Sequence, residues 1–204
     1  MMEYSLNPYQ GCEHGCSYCF ARPTHEFWGY SAGTDFERKI MVKKNAPELL
    51  EKFFQKRNYV PKTITLSGNT DCYQPAEREF EITRKLLQLC LDYRHPVSIL
   101  TKNALVLRDL DILKPLSEQN LVSVSFSIPT VNEEIRRKME PRTSSVKNKL
   151  KAIEILTEHK IAVGVMVAPV IPGLTSDESL KILKTVSEAG AQKFGYVLIR
   201  LNDT

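Results

Sequence analysis

Six short apolar runs punctuate the chain, each bounded by polar or turn-forming residues: a brief one at 4–7, then 63–67 (TITLS), 97–101 (VSILT), 122–128 (VSVSFSI), 161–168 (IAVGVMVA) and 194–199 (FGYVLI). Runs of this length, rich in β-branched residues, predict buried strands. Between them the apolar positions recur every three or four residues, the spacing of one helical face. Asn45 is placed to cap a helix that carries Pro47 in its first turn and reaches about Lys56. A second helix is predicted over 76–93, with Phe80, Leu86, Leu87, Cys90 and Leu91 on its inner face. Others are predicted over 105–113, stopped near Pro115, over 145–159, and over 177–189, closed by Gly190.

Strands alternating with helices form βα units, which assemble into a parallel sheet with helices packed outside. Six such strands predict an α/β fold, a partial (β/α)6 TIM-like barrel ending after the sixth strand. No repeat, low-complexity tract or linker divides it, so one domain is expected over 1–204. In barrels of this kind chemistry gathers at the C-terminal ends of the strands. The segments there are SGNTD after the second strand, TKN after the third, SIPT at the end of the fourth and VAPVIPG after the fifth. The first strand leads into NPYQGCEHGCSYCFARPTHEFWG, at 7–29.

Composition alters this picture little. With 42% hydrophobic and 25% charged residues the chain reads as an ordinary globular protein. Its net charge of +4, from 28 Lys and Arg against 24 Asp and Glu, permits a nucleic-acid partner without requiring one. No apolar run approaches the roughly 20 residues of a membrane span and no basic-then-apolar leader opens the chain, so a cytoplasmic location with no membrane partner is expected. Five cysteines without an export signal favour metal or redox chemistry over a disulfide framework.

Cys12, Cys16 and Cys19 fall within eight positions, and Gly11 and Gly15 let the backbone wrap closely around something compact. Three thiolates on one loop suit an iron–sulfur cluster, and a four-iron cubane held by three ligands keeps one iron open for chemistry. A structural zinc using His14 or His25 as a fourth ligand is the alternative, although such sites normally bring two separated ligand pairs. His14, His25 and Trp28 read as packing over whatever the loop holds. Cys90, on the apolar face of a helix, reads as core. Arg136, Arg137, Lys138, Arg142, Lys147, Lys149 and Lys151, interspersed with Glu133, Glu134 and Glu140, read either as a phosphate-contacting stripe or as a solvated helix face.

The Cys-x3-Cys-x2-Cys spacing with Tyr18 before the last cysteine resembles the signature of the radical S-adenosylmethionine (radical SAM) superfamily. The stretches NPYQGCEHGCSYCFARPTHE, SGNTDCYQPAE, ILTKN, SFSIPT, MEPRTSS and GVMVAPVIPG resemble the branch that includes spore photoproduct lyase and uncharacterised bacterial relatives. The resemblance implies a [4Fe–4S] cluster on Cys12, Cys16 and Cys19, with S-adenosylmethionine on the open iron. It implies reduction by an electron donor such as flavodoxin or ferredoxin, and cleavage of the sulfonium to methionine and a 5′-deoxyadenosyl radical. Tyr18 would lie beside the cofactor, and Ser67, Asn69, Thr70 and Asp71 would meet the methionyl ammonium unless they merely form a polar turn. Lys102 would pair with the methionyl carboxylate, the competing account being an ordinary solvated lysine. Ser127 would reach the ribose, and the backbone from Ala168 and Pro169 to Gly173 the adenine. Cys72 would be a hydrogen-atom donor of the kind spore photoproduct lyase uses, the competing reading being an inert buried thiol. The implied activity is radical and lyase-like, with nucleic acid as a candidate substrate, as in DNA repair; the substrate itself is not legible. Such cores continue with a helix and an extension after the sixth strand, so the chain ending at Thr204 reads as a core without its lid. The runner-up is a non-catalytic βα domain with a structural metal, serving as a nucleic-acid-binding adaptor.

Overall fold

The structure, a computed structural model, describes residues 4–201. Six parallel strands form one sheet in the order β1 (Tyr4–Leu6), β4 (Ile64–Leu66), β5 (Val97–Thr101), β6 (Val122–Ser127), β7 (Ala162–Val170) and β8 (Lys193–Leu198). Spatial order follows chain order, as expected when each strand is followed by a crossover that returns over the sheet. The two intervening strands, β2 (Tyr9–Gln10) and β3 (Met41–Val42), pair antiparallel as a small ribbon beside the cysteine loop. The partial barrel read from the apolar runs is therefore the architecture found, with strand bounds shifted by no more than two residues at either end.

Helices α1 (Asp35–Arg38), α2 (Ala46–Phe54), α3 (Glu77–Phe80), α4 (Ile82–Asp92), α5 (Leu110–Glu118), α6 (Glu133–Met139), α7 (Val146–Glu158) and α8 (Ser179–Glu188) complete the described elements, with short 3-10 turns between them. Leu86, Leu87 and Cys90 of α4 are fully buried with Ile99, Leu113, Val124, Phe126 and Leu156 in one continuous core. Two helices depart from expectation. The helix over 76–93 breaks at Glu81, which takes a positive φ of 50°. Pro115 does not stop α5 but sits inside it, while the 104–109 stretch forms a 3-10 turn. Asn103 caps that turn by accepting from Leu105 N–H, so the true helix begins late, at Leu110. Helix α6 was not anticipated; Asn132 caps it by accepting from the Glu134 and Ile135 N–H groups. Among the described residues no helix is long and apolar enough to cross a membrane.

Candidate active site

The cysteine loop follows β1 and is gripped from two sides at the C-terminal rim. One grip is the 70–77 segment after β4. Thr70 Oγ1 donates to the Tyr9 carbonyl at 2.7 Å, and Gln74 donates to the Gly11 carbonyl at 3.1 Å while accepting from Glu13 N–H at 3.0 Å. The Tyr9 hydroxyl donates to buried Glu77. The second grip is the 139–142 segment after α6. Ser17 N–H donates to the Met139 carbonyl at 2.9 Å, and Arg142 donates to the Glu13 carbonyl and pairs with Glu37. Gly11, at φ +81°, can have no side chain here: a Cβ would lie 2.9 Å from the Phe36 carbonyl oxygen.

His14 ties the loop to both grips. Its Nε2 lies 3.2 Å from Asp71 Oδ2 and its Nδ1 lies 3.1 Å from the Arg142 carbonyl. The Asp71 carboxylate also accepts from Thr101 Oγ1 and Lys102 N–H, both at 2.7 Å. Burial alone would raise the Asp71 carboxyl, but His14, Thr101 and the Lys102 N–H together hold it below its ordinary range.

Each of the three thiols faces groups that favour a thiolate. Cys12 meets the N–H groups of Asp71 and His14, Cys19 those of Ala21 and Arg22, and Cys16 the ammonium of Lys102. Burial nevertheless dominates, raising Cys12 well above the ordinary thiol, Cys16 to about 12, and Cys19 more modestly. Loading a metal group would therefore release protons, with the surrounding donors already in place for the anionic sulfurs. Among the described residues no three His, Cys, Asp or Glu side chains gather tightly enough for a single metal ion. Iron–sulfur clusters are held by cysteine thiolates, and three thiols on one anchored loop are a donor set that fits such a cluster.

Beneath Cys16 lies a charged network that involves three rim elements. The Lys102 ammonium, at the end of β5, meets Glu140 Oε1 at 2.8 Å, Ser127 Oγ at 2.5 Å and the Tyr18 hydroxyl at 3.0 Å. Burial pulls Lys102 down, yet Glu140 and Cys16 more than offset it and lift the ammonium to about 12. Glu140 is fully buried, accepts from Tyr18, and lies 3.0 Å from the ammonium of Lys149, which is itself fully buried. Despite burial, Lys102 and Lys149 hold the Glu140 carboxyl far below its usual range.

Several expected positions are corrected by this geometry. Lys102 is neither a solvated lysine nor an open rim cation: its three donors already have three acceptors. Asp71 grips the loop through His14 instead of facing outward, Thr70 is spent on Tyr9, and Ser67, at a positive φ of 88°, accepts from Cys72 N–H at 3.0 Å. Asn69 alone of that segment is exposed on the rim. Ser127 Oγ donates to the Ala168 carbonyl at 3.0 Å, which brings the ends of β6 and β7 together beside Pro169. Cys72, read from sequence as either a hydrogen-atom donor or an inert buried thiol, is fully buried among core residues. Cys90 is core, as expected. His25 is buried against Tyr30 and Phe36, but Trp28 is 58% exposed. Arg136 and Lys149 leave the basic stripe altogether, at 5% and 0% exposure. Sequence reasoning missed Glu140, Lys149 and Gln74 as parts of the site. The MEPRTSS and DCYQPAE stretches were visible, but nothing in their composition marks which side chains point inward.

The Radical SAM superfamily model matches residues 6–193. An uncharacterised protein of Mycobacterium tuberculosis is 37% identical over 190 residues, covering 92% of this chain and 56% of that protein. One from Methanocaldococcus jannaschii is 32% identical over 176 residues, covering 86% of this chain and 63% of that protein. The chain thus spans between about half and two thirds of these relatives' length. Among solved structures, a spore photoproduct lyase variant aligns with a TM-score of 0.75 at 18% identity, over 99% of this chain and 58% of that one. Another variant, solved with AdoMet and dinucleoside spore photoproduct bound, gives a TM-score of 0.72 at 17% identity over the same shares, 99% and 58%. SuiB of Streptococcus suis bound to S-adenosylmethionine gives 0.63 at 12% identity, over 97% of this chain and 39% of SuiB. At these identities the structural likeness establishes a shared fold.

Proposed function

The chain belongs to the radical SAM superfamily, and from that premise we propose that it is the core of an enzyme that cleaves S-adenosylmethionine reductively, using a [4Fe–4S] cluster held by Cys12, Cys16 and Cys19. The observation that carries this reading is the convergence on one rim loop of three thiols, Cys12 and Cys16 buried and Cys19 half-buried, on a backbone fixed by Thr70, Gln74 and the Asp71–His14 pair. When bound, the reduced cluster supplies the electron that splits the sulfonium into methionine and a 5′-deoxyadenosyl radical.

The chain's own residues bind, orient and shield. Asp71 and His14 fix the loop to the ends of β4 and β5, so the thiols keep their relation to Lys102. Lys102 offers the methionyl carboxylate a charge-assisted contact in place of the hydroxyls of Ser127 or Tyr18 that now accept from it. Asn69 is the exposed polar side chain of the SGNTD segment and the one we assign to the methionyl ammonium. The strand ends at Ser127, Ala168 and Pro169 offer a surface for the ribose and adenine. Burial of the thiols limits access by water, which protects a reactive intermediate.

Further, we assign the electron to a flavodoxin or ferredoxin in the cytoplasm. The lyase-like action on a nucleic-acid lesion is supported by the fold shared with spore photoproduct lyase and by the exposed cations Arg137, Lys138, Lys147 and Lys151, which would meet phosphates. The test is anaerobic reconstitution followed by dithionite and S-adenosylmethionine. Slow release of 5′-deoxyadenosine and methionine is expected; a cluster-loaded protein that releases neither overturns the reading.

A further inference from the structure

Lys149 poses a question that the proposed chemistry leaves open. Its side chain lies on α7, fully buried, with the ammonium 3.0 Å from Glu140 Oε2 and 3.2 Å from the Ser127 carbonyl. Glu140 already has a cationic partner in Lys102 at 2.8 Å and a hydroxyl donor in Tyr18. Burying a second ammonium there carries a heavy desolvation cost, and one carboxylate shared between two cations does not offset it. A fold that needed only to hold Lys102 would place an apolar side chain at 149. The surplus cation therefore points to a negative partner beyond Glu140. Asp71, the other buried carboxylate beside Lys102, is committed to His14, Thr101 and the Lys102 N–H. What remains is the cysteine loop: Tyr18, which lies between Cys16 and Cys19 in the chain, sets its hydroxyl 3.0 Å from the Lys102 ammonium and donates to Glu140, and Ser17 N–H is held at 2.9 Å by the carbonyl of Met139, the neighbour of Glu140.

We propose that Glu140 and Lys149 form a buried charge clamp under the cysteine loop. Glu140 is a positioning residue that holds the Lys102 ammonium and the Tyr18 hydroxyl beside Cys16. Lys149 restores the positive charge that Glu140 cancels, and so raises the reduction potential of the cluster that the loop holds. The inference rests on the cluster reading above. Reduction adds one electron and one negative charge to the cluster, with the titrating reductant oxidised in step and no protein bond made or broken. A fixed cation nearby favours the more negative, reduced form.

The clamp makes a prediction that packing alone does not, because its two members carry opposite charges. Wild type, Lys149→Met, Glu140→Gln and the double variant are reconstituted anaerobically, and their midpoint potentials are read by EPR-monitored titration with dithionite. Lys149→Met should move the potential down and Glu140→Gln should move it up. The double variant, which restores the site's net charge while altering two packed positions, should return close to wild type. If Lys149→Met does not fold, the decision passes to Glu140→Gln against the double variant: the double must lie lower, and equal potentials overturn the clamp. A wild type that takes up no iron overturns the cluster reading and the clamp with it. Loaded clusters with one common potential in all folded variants overturn the clamp alone, leaving Glu140 and Lys149 a structural pair.

Discussion

The cysteine loop is held from two sides, and the two sides hold it by different physics. The 70–77 segment works chiefly through directional hydrogen bonds with the loop's backbone, Thr70 donating to Tyr9 and Gln74 donating to Gly11 while accepting from Glu13 N–H, with Asp71 anchoring His14. The 139–149 region adds main-chain contacts at Ser17 and His14, but its distinctive contribution is charge: Glu140 between Lys102 and Lys149, and Arg142 on Glu37. Hydrogen bonds to fixed backbone atoms set where the thiols sit. Buried charges set how well anionic sulfur is tolerated there. The first side should therefore control assembly of the site, and the second its electrostatics.

Removing what both sides hold should have the largest effect. Cys12→Ala, Cys16→Ala or Cys19→Ala should each abolish cluster assembly, because two thiolates hold a cubane poorly, whereas Cys90→Ala, in the core of α4, should leave iron content unchanged. Colorimetric iron and sulfide assays check this, and three single variants with wild-type iron would end the assignment. Next is Asp71→Ala, which strips partners from His14, Thr101 and the Lys102 N–H in a buried setting. It should cost about 3–5 kcal/mol of stability, seen as a lower urea midpoint, and should reduce iron loading as the loop loses its anchor. An intact midpoint with full loading would show that Gln74 and Thr70 suffice.

On the charged side, Lys102→Ala should leave cluster assembly in place but weaken S-adenosylmethionine binding by roughly ten- to a hundredfold, the equivalent of about 1.5–3 kcal/mol for one charge-assisted contact. Titrating the cofactor into reconstituted proteins measures it; equal affinities would reduce Lys102 to a partner of Glu140. The smallest effect is on acid stability. Glu140 and Asp71 are both held below their ordinary range, so their contribution is present above the unfolded carboxylate value and is lost as pH falls. Thermal stability should thus decline below about pH 4–5, and the decline should be shallower in the Glu140→Gln, Lys149→Met double variant. An unchanged slope would mean that Glu140 does not carry the acid response.

The two sides also differed in how far sequence revealed them. Strand positions were legible because a buried parallel strand is a run of β-branched residues, and the cysteine spacing was legible because its ligand chemistry is local. The inward charges were not. Lys149 and Glu140 stand among Lys147, Lys151, Glu133 and Glu134, and a polar position on a helix reads as solvated whatever lies beneath it. Only the packing of α7 against β6 shows that Lys149 reaches the Ser127 carbonyl. Lys102 was correctly placed at the end of a strand, but its partners come from 18, 127 and 140, separations no local pattern reports. Cys72 was ambiguous in sequence: its place after a strand on the rim fitted a hydrogen-atom donor or an inert buried thiol, and its side chain lies in the core. At Glu81 and Pro115 local helix rules were overruled, the first by a break between α3 and α4 and the second by a helix that starts at Leu110 and runs through the proline.

Everything proposed for the site depends on whether the doubly gripped loop holds a four-iron cluster that S-adenosylmethionine can reach. The most direct test is anaerobic reconstitution with quantification of bound metal, followed by EPR of the dithionite-reduced protein with and without the cofactor. A brown protein with about four irons per chain is expected, with a reduced-cluster signal that changes when S-adenosylmethionine is added. A colourless protein carrying one zinc, or a cluster whose signal the cofactor leaves untouched, would contradict it.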